Sequence, residues 1–542
     1  MALMTNGHPP PQFIDLFSGC GGFSLGLKKA GFKELASIDF YPEALTVFRA
    51  NFPDVPYVLE EDLTKFKPRQ LAKLIGTDHV DLIVGGPPCQ GFSQIRQVDG
   101  ANSGERFIDD DRRNLFREFL KFVNYFKPKI FVMENVPGIR SAAGGYFFTA
   151  VQSEARKYGY RVHGEMIRAW EYGVPQKRQR QLIIGTLIEL PLFSGHIHLT
   201  PTHTYKIIRH NEEKMEKIVT LGEAIMDLPP LHAGKGKEVA EYDLERRKRH
   251  LEKYGDRYLY NVLEIQNAKN LTAHNARPHI PRDLRDFNRL REGETSAQAI
   301  RQGKNMEFPY DRGGFKDRYT RQHRDHLCST IVAHMSRDGL MFIHPTQNRS
   351  LTPREAARIQ SFPDWFIFPV TRKHQYRLIG NAVPPLVGEA VGIGILKWFS
   401  ETEVKNHFKK YNKNILDDEI QAIECLKELA DLSQNGGLHK VSSEKFIRGW
   451  YAIAYLFGHL HPDSAINHGA LKHNHVKVQF PIMNKEIPFL IRPVFTQSGW
   501  PLRLVPIAKE ARNRFINGEL SIDEYYFSDI QIAGLKKAKN IG

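Results

Sequence analysis

FIDLFSGCGGFSLGL, running from Phe13 to Leu27, is the stretch on which the fold turns. An apolar run, Phe13 to Phe17, enters a turn carrying Gly19, Gly21 and Gly22, and a segment at helical spacing follows. Glycines at such a strand-to-helix turn let backbone N–H groups approach a ligand at the head of a helix. The strict G-x-G-x-x-G spacing of dinucleotide sites is absent, and a glycine-rich turn is also ordinary loop chemistry. The next apolar run, LASIDF (Leu35 to Phe40), ends on an acid, Asp39, about 20 residues on, where α/β folds grip a ribose hydroxyl. Phe40 beside it suits stacking on a purine or a place in the core. Asp62 suits accepting from an exocyclic amine or closing a turn.

Outward from this stretch, short apolar runs recur at Leu35 to Ile38, Val80 to Val84, Lys129 to Met133 and Gln181 to Gly185, alternating with segments at helical spacing. That is the βα alternation of a mostly parallel sheet. DLIVGG (Asp81 to Gly86) and KIFVMEN (Lys129 to Asn135) show no in/out alternation, as expected of strands covered by helices on both faces. The carboxyl ends of such strands are where these sheets bind ligands.

The chain of 542 residues has room for three or four domains. Its 41% hydrophobic, 25% charged and 11% aromatic residues exclude a collagenous or largely disordered chain. Lys and Arg total 76 against 61 Asp and Glu, a net +15 that favours a polyanionic partner, nucleic acid or membrane surface. The four cysteines (Cys20, Cys89, Cys328, Cys425) form no C-x-x-C pair, which argues against a disulfide framework or a structural zinc site and for a reducing compartment. MALMTNGHPPP lacks a signal-peptide core, and the apolar stretch Val387 to Phe399 carries Glu389 and Lys397 and is short of a span. A soluble cytoplasmic protein with no membrane partner is expected.

The alternation breaks down between Thr186 and Pro345, where 26 basic and 22 acidic residues and 12 of the 23 histidines lie. TPREAARIQ then opens a helix with a capping box, Thr352 and Glu355, and Pro353 in the first turn. A further helix is expected over Pro385 to Phe399, its Gly388, Ala390, Gly392 and Gly394 permitting close packing on a sheet. Past Ser400, Leu416, Ile420, Ile423, Leu426 and Leu429 recur at helical spacing, and Val476, Val478 and Phe480 alternate with Lys477 and Gln479 as in a half-buried strand. This is the pattern of a small α+β domain.

Three further segments carry chemistry. GGPPCQGFS (Gly85 to Ser93) presents Cys89 at the end of a strand in a loop stiffened by prolines, rather than in the core. In MENVPG (Met133 to Gly138), Glu134 follows an apolar run; burial there would raise its pKa toward that of a proton donor, and a helix-capping role is the alternative. In GVPQKRQRQLIIG (Gly173 to Gly185), Gln176, Arg178 and Arg180 alternate, so the guanidiniums point to one side, suited to phosphate or base contacts or to a solvated edge.

FSGCGG, PPCQGFS, ENV, Gln-Lys-Arg-Gln-Arg and RLIGNAVPP (Arg377 to Pro385), in this order, resemble the cytosine-5 DNA methyltransferases, over roughly Gln12 to Gly185 and Arg349 to Phe399. The resemblance implies an α/β, Rossmann-like sheet that uses S-adenosylmethionine, formed by 1–185 and 346–400, with an inserted target-recognition region at 186–345. It leaves 401–542 without assignment. It implies Cys89, Glu134, Arg178 and Arg180 as catalytic residues. The donor site it implies is made by Phe17, Ser18, Gly19, Cys20, Gly21 and Gly22, then Asp39 and Phe40, Asp62 and Leu63, Pro87, and finally Asn381 and Ala382. Asp39 stands where many members have glutamate, and the shorter arm should still reach a ribose.

The implied chemistry is addition of the Cys89 thiolate to carbon 6 of cytosine, with Glu134 bonding ring nitrogen 3 and the exocyclic amine, and Arg180, supported by Arg178, holding the base or its phosphate. The base must be flipped from double-stranded DNA. The resemblance also implies a monomer on DNA and a cognate restriction endonuclease of a restriction-modification system. The alternatives are an RNA cytosine methyltransferase, an inactive DNA-binding relative and a nicotinamide oxidoreductase; Cys89, Glu134 and Arg180 stand against the second, and PPCQ and ENV have no role in the third. At the C-terminal end, His459, His461, His468, His473 and His475 raise a metal-nuclease reading, but they lack set ligand spacing, and a DNA-binding or docking module fits better.

Overall fold

Five strands of the central sheet form where the apolar runs fall, and two more, Tyr57–Glu60 and Tyr160–Arg168, lie outside those runs. The computed structural model describes residues 9–88, 115–187, 197, 199–205, 209–210, 213–307, 319–409, 475–480, 485–493 and 502–506. β1 (Gln12–Leu16), α1 (Gly22–Ala30), β2 (Lys33–Asp39), α2 (Pro42–Asn51), β3 (Tyr57–Glu60), α3 (Pro68–Ile75), β4 (Leu82–Gly85), α4 (Leu115–Phe126) and β5 (Ile130–Asn135) alternate as expected. α5 (Tyr146–Lys157), β6 (Tyr160–Arg168) and β7 (Gln179–Leu187) complete a seven-stranded sheet of order β3-β2-β1-β4-β5-β7-β6. β1 pairs in parallel with both β2 and β4, β2 with β3, and β4 with β5. Every residue of β4 and β5 is buried, which is why neither sequence alternates. The carboxyl ends of these strands share one edge, with Gly85 in register with Met133 and Leu16 with Gly85.

Contacts divide the chain into two compact units: Met1–Val151, Met166–Leu182 and His198–Leu396, and Gln152–Glu165, Ile183–Ile197 and Lys397–Gly542. In the first unit, the stretch after the sheet holds short paired strands, β8 (His203–Thr204) with β11 (Glu216–Lys217) and β9 (Arg209–His210) with β10 (Glu213–Lys214). α6 (Leu221–Ile225), β12 (Gly236–Ala240), α7 (Leu244–Tyr254), β13 (Leu271–Asn275), α8 (Pro281–Arg289) and α9 (Ser296–Arg301) follow, with β12 antiparallel to β13.

α10 (Pro353–Ile359) starts at the expected capping box: the Glu355 N–H donates to Thr352 Oγ1 at 3.2 Å, and the Thr352 N–H to Glu355 Oε2 at 2.7 Å. Although strongly polar, the helix is buried throughout, because its charges are paired. Arg349 grips Glu355 with bonds of 2.8 and 2.7 Å, Arg358 grips Asp364 with bonds of 2.8 and 2.6 Å and also pairs with Asp227, and Arg354 donates to the carbonyls of Thr272, Pro363 and Phe366. These bonds tie α10 to the stretch around α6 and β13.

α11 (Arg372–Asn381) and α12 (Pro385–Lys409) end this unit's path, α12 running beyond the expected Phe399. The glycines of α12 serve close packing, but on helix α1 rather than on the sheet as expected. A Cβ on Gly26 would come within 2.3 Å of the Pro385 carbonyl, and one on Gly388 within 2.9 Å of the Phe23 carbonyl. The stretch Arg372–Ser400 is apolar and long enough to cross a membrane by composition alone, yet 61% of its most apolar window is buried in the fold, as in the core helix of a soluble protein.

In the second unit, β14 (His475–Phe480), β15 (Lys485–Pro493) and β16 (Leu502–Pro506) form an antiparallel sheet, so the alternating Val476, Val478 and Phe480 do lie on a strand. The helical pattern at Leu416 to Leu429 and His459 to His473 lie outside the described residues.

Candidate active site

The turn between β1 and α1 is built from left-handed residues: Phe17 has φ 61°, Gly19 58° and Gly21 86°. Gly21 is required on two counts, since a Cβ there would also lie 2.4 Å from the Phe52 ring. On Gly19 a Cβ would meet nothing within 4 Å, so the turn is open on that side. Ser18 donates its N–H to the Ile38 carbonyl at 3.1 Å, while its Oγ is buried and has no hydrogen-bond partner. Cys20 is 1% exposed, its Sγ 3.8 Å from the Leu378 carbonyl, and burial pushes the thiol up to about 12, so its side chain belongs to the core.

Asp39, at the end of β2, braces this turn. Oδ2 accepts the Gly19 N–H at 2.7 Å and Oδ1 the Tyr41 N–H at 2.8 Å, and the Phe40 N–H also bonds the carboxylate, whose two oxygens together keep accepting capacity to spare. Phe40 is 72% exposed, so it is not a core aromatic; its ring is open to a ligand. Asp62 does close a turn, accepting from the Thr64 N–H at 3.0 Å and hydroxyl at 2.7 Å, and these bonds hold its carboxyl below the usual range. Leu63 is buried beside it.

The last of the segments expected at the donor site arrives from far along the chain. A Cβ on Gly22 would lie 2.2 Å from the Val383 carbonyl and 3.3 Å from Ala382 Cβ, so the fold brings RLIGNAVPP against FSGCGG. Asn381 ends α11 and is exposed, and Ala382 is half-buried.

On the neighbouring strands, β4 passes through Gly85, Gly86 and Pro87 toward Cys89, which lies outside the described residues. A Cβ on Gly86 would be 3.2 Å from Glu134 Oε2, and the Asn135 Nδ2 donates to the Pro87 carbonyl at 3.5 Å. The chain leading to the cysteine therefore crosses directly over Glu134. Glu134 is 9% exposed, and Arg180 Nε sits 2.7 Å from its Oε1.

The alternation in Gln-Lys-Arg-Gln-Arg holds: Gln176 and Arg178 are buried and Arg180 half-buried, while Lys177 and Gln179 are exposed. The two arginines nevertheless meet different partners. Arg178 is 0% exposed and donates to the carbonyls of Ile331 at 2.9 Å, Gly380 at 3.3 Å and Ala382 at 2.8 Å. Gln176 donates to the Ile359 carbonyl and to Gln360 Oε1, and accepts the Ile331 N–H. Arg178 is thus directed at backbone carbonyls, not at Glu134, and it anchors the segment carrying Asn381 and Ala382. Gln360 escaped the sequence reading; it donates to the carbonyls of Ile379 and Ala382, and only its position just after α10 could have marked it.

The chain matches the model of the C-5 cytosine-specific DNA methylases over residues 11–397. It is 35% identical to the type II methyltransferase M.DdeI of Desulfomicrobium norvegicum, over 78% of this chain and 95% of that protein. It is 33% identical to M1.HphI of Haemophilus parahaemolyticus, over 71% and 86% respectively. Its fold is similar to that of a prophage-encoded E. coli protein assigned as a DNA modification methyltransferase, with a TM-score of 0.54 and 27% identity over 72% of this chain and 99% of that one. With a glycine turn at the head of α1, a buried glutamate at the end of β5 and an arginine paired with it, the chain belongs to the C-5 cytosine-specific DNA methylase family and is a DNA cytosine-5 methyltransferase.

Proposed function

We propose that this enzyme methylates carbon 5 of a cytosine flipped out of a specific duplex DNA sequence, with Cys89 as nucleophile. The observation that carries this reading is Glu134, buried at the end of β5 with Arg180 at 2.7 Å, beneath the chain that leads to Cys89. Cytosine carbon 5 is a poor nucleophile until electron density is pushed onto it. The Cys89 sulfur supplies that density by bonding to carbon 6. Glu134 stabilises the charge that develops by hydrogen bonding at ring nitrogen 3 and the exocyclic amine. Arg180 fixes the Glu134 carboxyl and contacts the base or its phosphate. When the proton leaves carbon 5, the electron pair of that C–H bond reforms the ring double bond and the sulfur–carbon bond breaks, regenerating the thiolate. Arg178 acts by positioning.

The residues present fit S-adenosylmethionine. Ser18 has an orphaned buried hydroxyl for a polar donor group, Asp39 retains lone pairs for ribose hydroxyls, and Phe40 offers an open ring for adenine. Phe17, Gly19, the backbone of Cys20, Gly21 and Gly22, Asp62 and Leu63, Pro87, Asn381 and Ala382 would complete the wall. What the bound donor supplies is an electrophilic methyl group.

The division into a catalytic part at 1–185 and 346–400, a target-recognition region at 186–345 and a DNA-binding or docking part at 401–542 is part of the same reading. So are action as a monomer in the cytoplasm and pairing with a cognate restriction endonuclease, as the type II relatives suggest. The test is trapping on a duplex carrying 5-fluorocytosine at the target, where loss from carbon 5 is blocked. An adduct that survives denaturation in the parent and is missing in Cys89→Ala is expected; no adduct from the parent with donor present would overturn the nucleophile assignment.

A further inference from the structure

Asp39 and Phe40 are followed by a cluster to which the proposed chemistry gives no role, although its Arg377 opens the RLIGNAVPP segment. Tyr41 bonds through its hydroxyl to His374 Nδ1 on α11, and the two rings stack with centroids 5.8 Å apart. The guanidinium of Arg377, one turn further along α11, lies 4.2 Å from the centroid of the Tyr41 ring. Arg377 is itself exposed. Tyr41 also donates the backbone N–H that holds Asp39 Oδ1. One aromatic ring is therefore clasped from α11 while its own backbone sets an acid of the donor site.

We propose that Arg377 is a positioning residue of the donor site: stacked on Tyr41, it fixes the N–H that orients Asp39 and places a positive charge beside that carboxylate as it meets the donor's ribose. This rests on the assignment of Asp39 to the donor. Cation–π stacking on a half-buried tyrosine is a modest interaction, but here it is coupled to charge. Burial pushes the Asp39 carboxyl up, while the Tyr41 and Gly19 N–H groups and the Arg377 charge pull it down. The other titratable groups around Asp39 are Asp15 on β1, Cys20 in the turn, Glu43 on α2, Glu60 in register on β3, and His374. Among these named neighbours, His374 and Arg377 are the ones able to carry positive charge. Removing Arg377 therefore takes away both the clasp on the Tyr41 ring and a positive charge that favours the ionised Asp39 carboxylate.

The test is calorimetric titration of the full chain with S-adenosylhomocysteine, the demethylated donor, for the parent, Arg377→Met, Arg377→Lys and Asp39→Ala. Arg377→Met is expected to bind about 5- to 20-fold more weakly, and Arg377→Lys, which keeps a cation over the Tyr41 ring, to recover most of that loss. In turnover, the KM for the donor should rise more than kcat falls. An Arg377→Met variant that binds like the parent, or an Arg377→Lys variant that binds no better than Arg377→Met, overturns the proposal while Asp39→Ala still weakens. Parent-like binding by Asp39→Ala would instead remove the donor-site reading on which it stands.

Discussion

Replacing Arg178 by Met separates a positioning role from a catalytic one. The side chain is fully buried, and its four hydrogen bonds reach three carbonyls, with distances of 2.9 Å to Ile331, 3.3 Å twice to Gly380 and 2.8 Å to Ala382. Met retains most of the packing volume but donates nothing. The Ala382 carbonyl keeps Gln360 Nε2 at 3.3 Å, whereas those of Ile331 and Gly380 lose these donors. Each buried acceptor left bare costs about 1–3 kcal/mol, offset in part because a guanidinium need no longer be desolvated, so we expect a loss of about 3–4 kcal/mol. At about 2–3 °C per kcal/mol for a large fold, the Tm should fall by about 6–12 °C. Because Gly380 and Ala382 flank Asn381 against the β1–α1 turn, donor affinity should fall as well. Thermal melting, calorimetry with the demethylated donor and single-turnover methylation on a target duplex report the three effects. A variant melting within about 2 °C of the parent and binding donor normally, but with methylation abolished, would refute this reasoning and return Arg178 to the target base.

Gly21→Ala should destabilise the turn by about 2–4 kcal/mol in urea unfolding, because it sets a Cβ 2.4 Å from Phe52 at φ 86°. A pH effect follows from Glu34, which burial pushes up to about 7 from 4.5 against the hydrogen bonds of Ser37 and Ser24. The native state then holds a proton that the unfolded chain releases, so this group's contribution is fully present below about pH 4.5 and lost as pH rises to about 7. Glu34→Gln should accordingly be more stable than the parent by about 2–3 kcal/mol at pH 8 and no more stable at pH 4, by urea unfolding at the two pH values; equal stability at pH 8 would reject it. Phe40→Ala should weaken binding of the demethylated donor by about tenfold, the usual value of a stacked ring, without lowering Tm, since the ring is 72% exposed. Duplex affinity should fall steeply with added salt in a filter-binding series, as expected if basic residues of 186–345 neutralise phosphates.

Much of the sheet was legible because buried parallel strands betray themselves as unbroken apolar runs, and DLIVGG and KIFVMEN are such runs. Phe40 and Asp62 were not legible. Each had two readings, of which the core and the turn were locally the stronger; exposure excluded the core reading of the first, while the Thr64 bonds displayed the turn reading of the second. The glycines of α12 were rightly read as contact positions, but their partner was misjudged, because small side chains announce a close approach without saying what approaches.

By itself the sequence determined the order of chemical parts: a glycine turn, a cysteine loop, a buried glutamate, alternating arginines and an Asn-Ala segment, each at a strand or helix end. Tertiary structure alone decided how Arg178 and Arg180 divide. A period of two puts both on one face of the chain, but what that face meets arrives from Ile331 and Gly380, some 150 to 200 residues away, and from Glu134 on another strand. Local spacing sets direction; the partner at the end of each side chain is set by long-range packing, and the partner fixes what a guanidinium does.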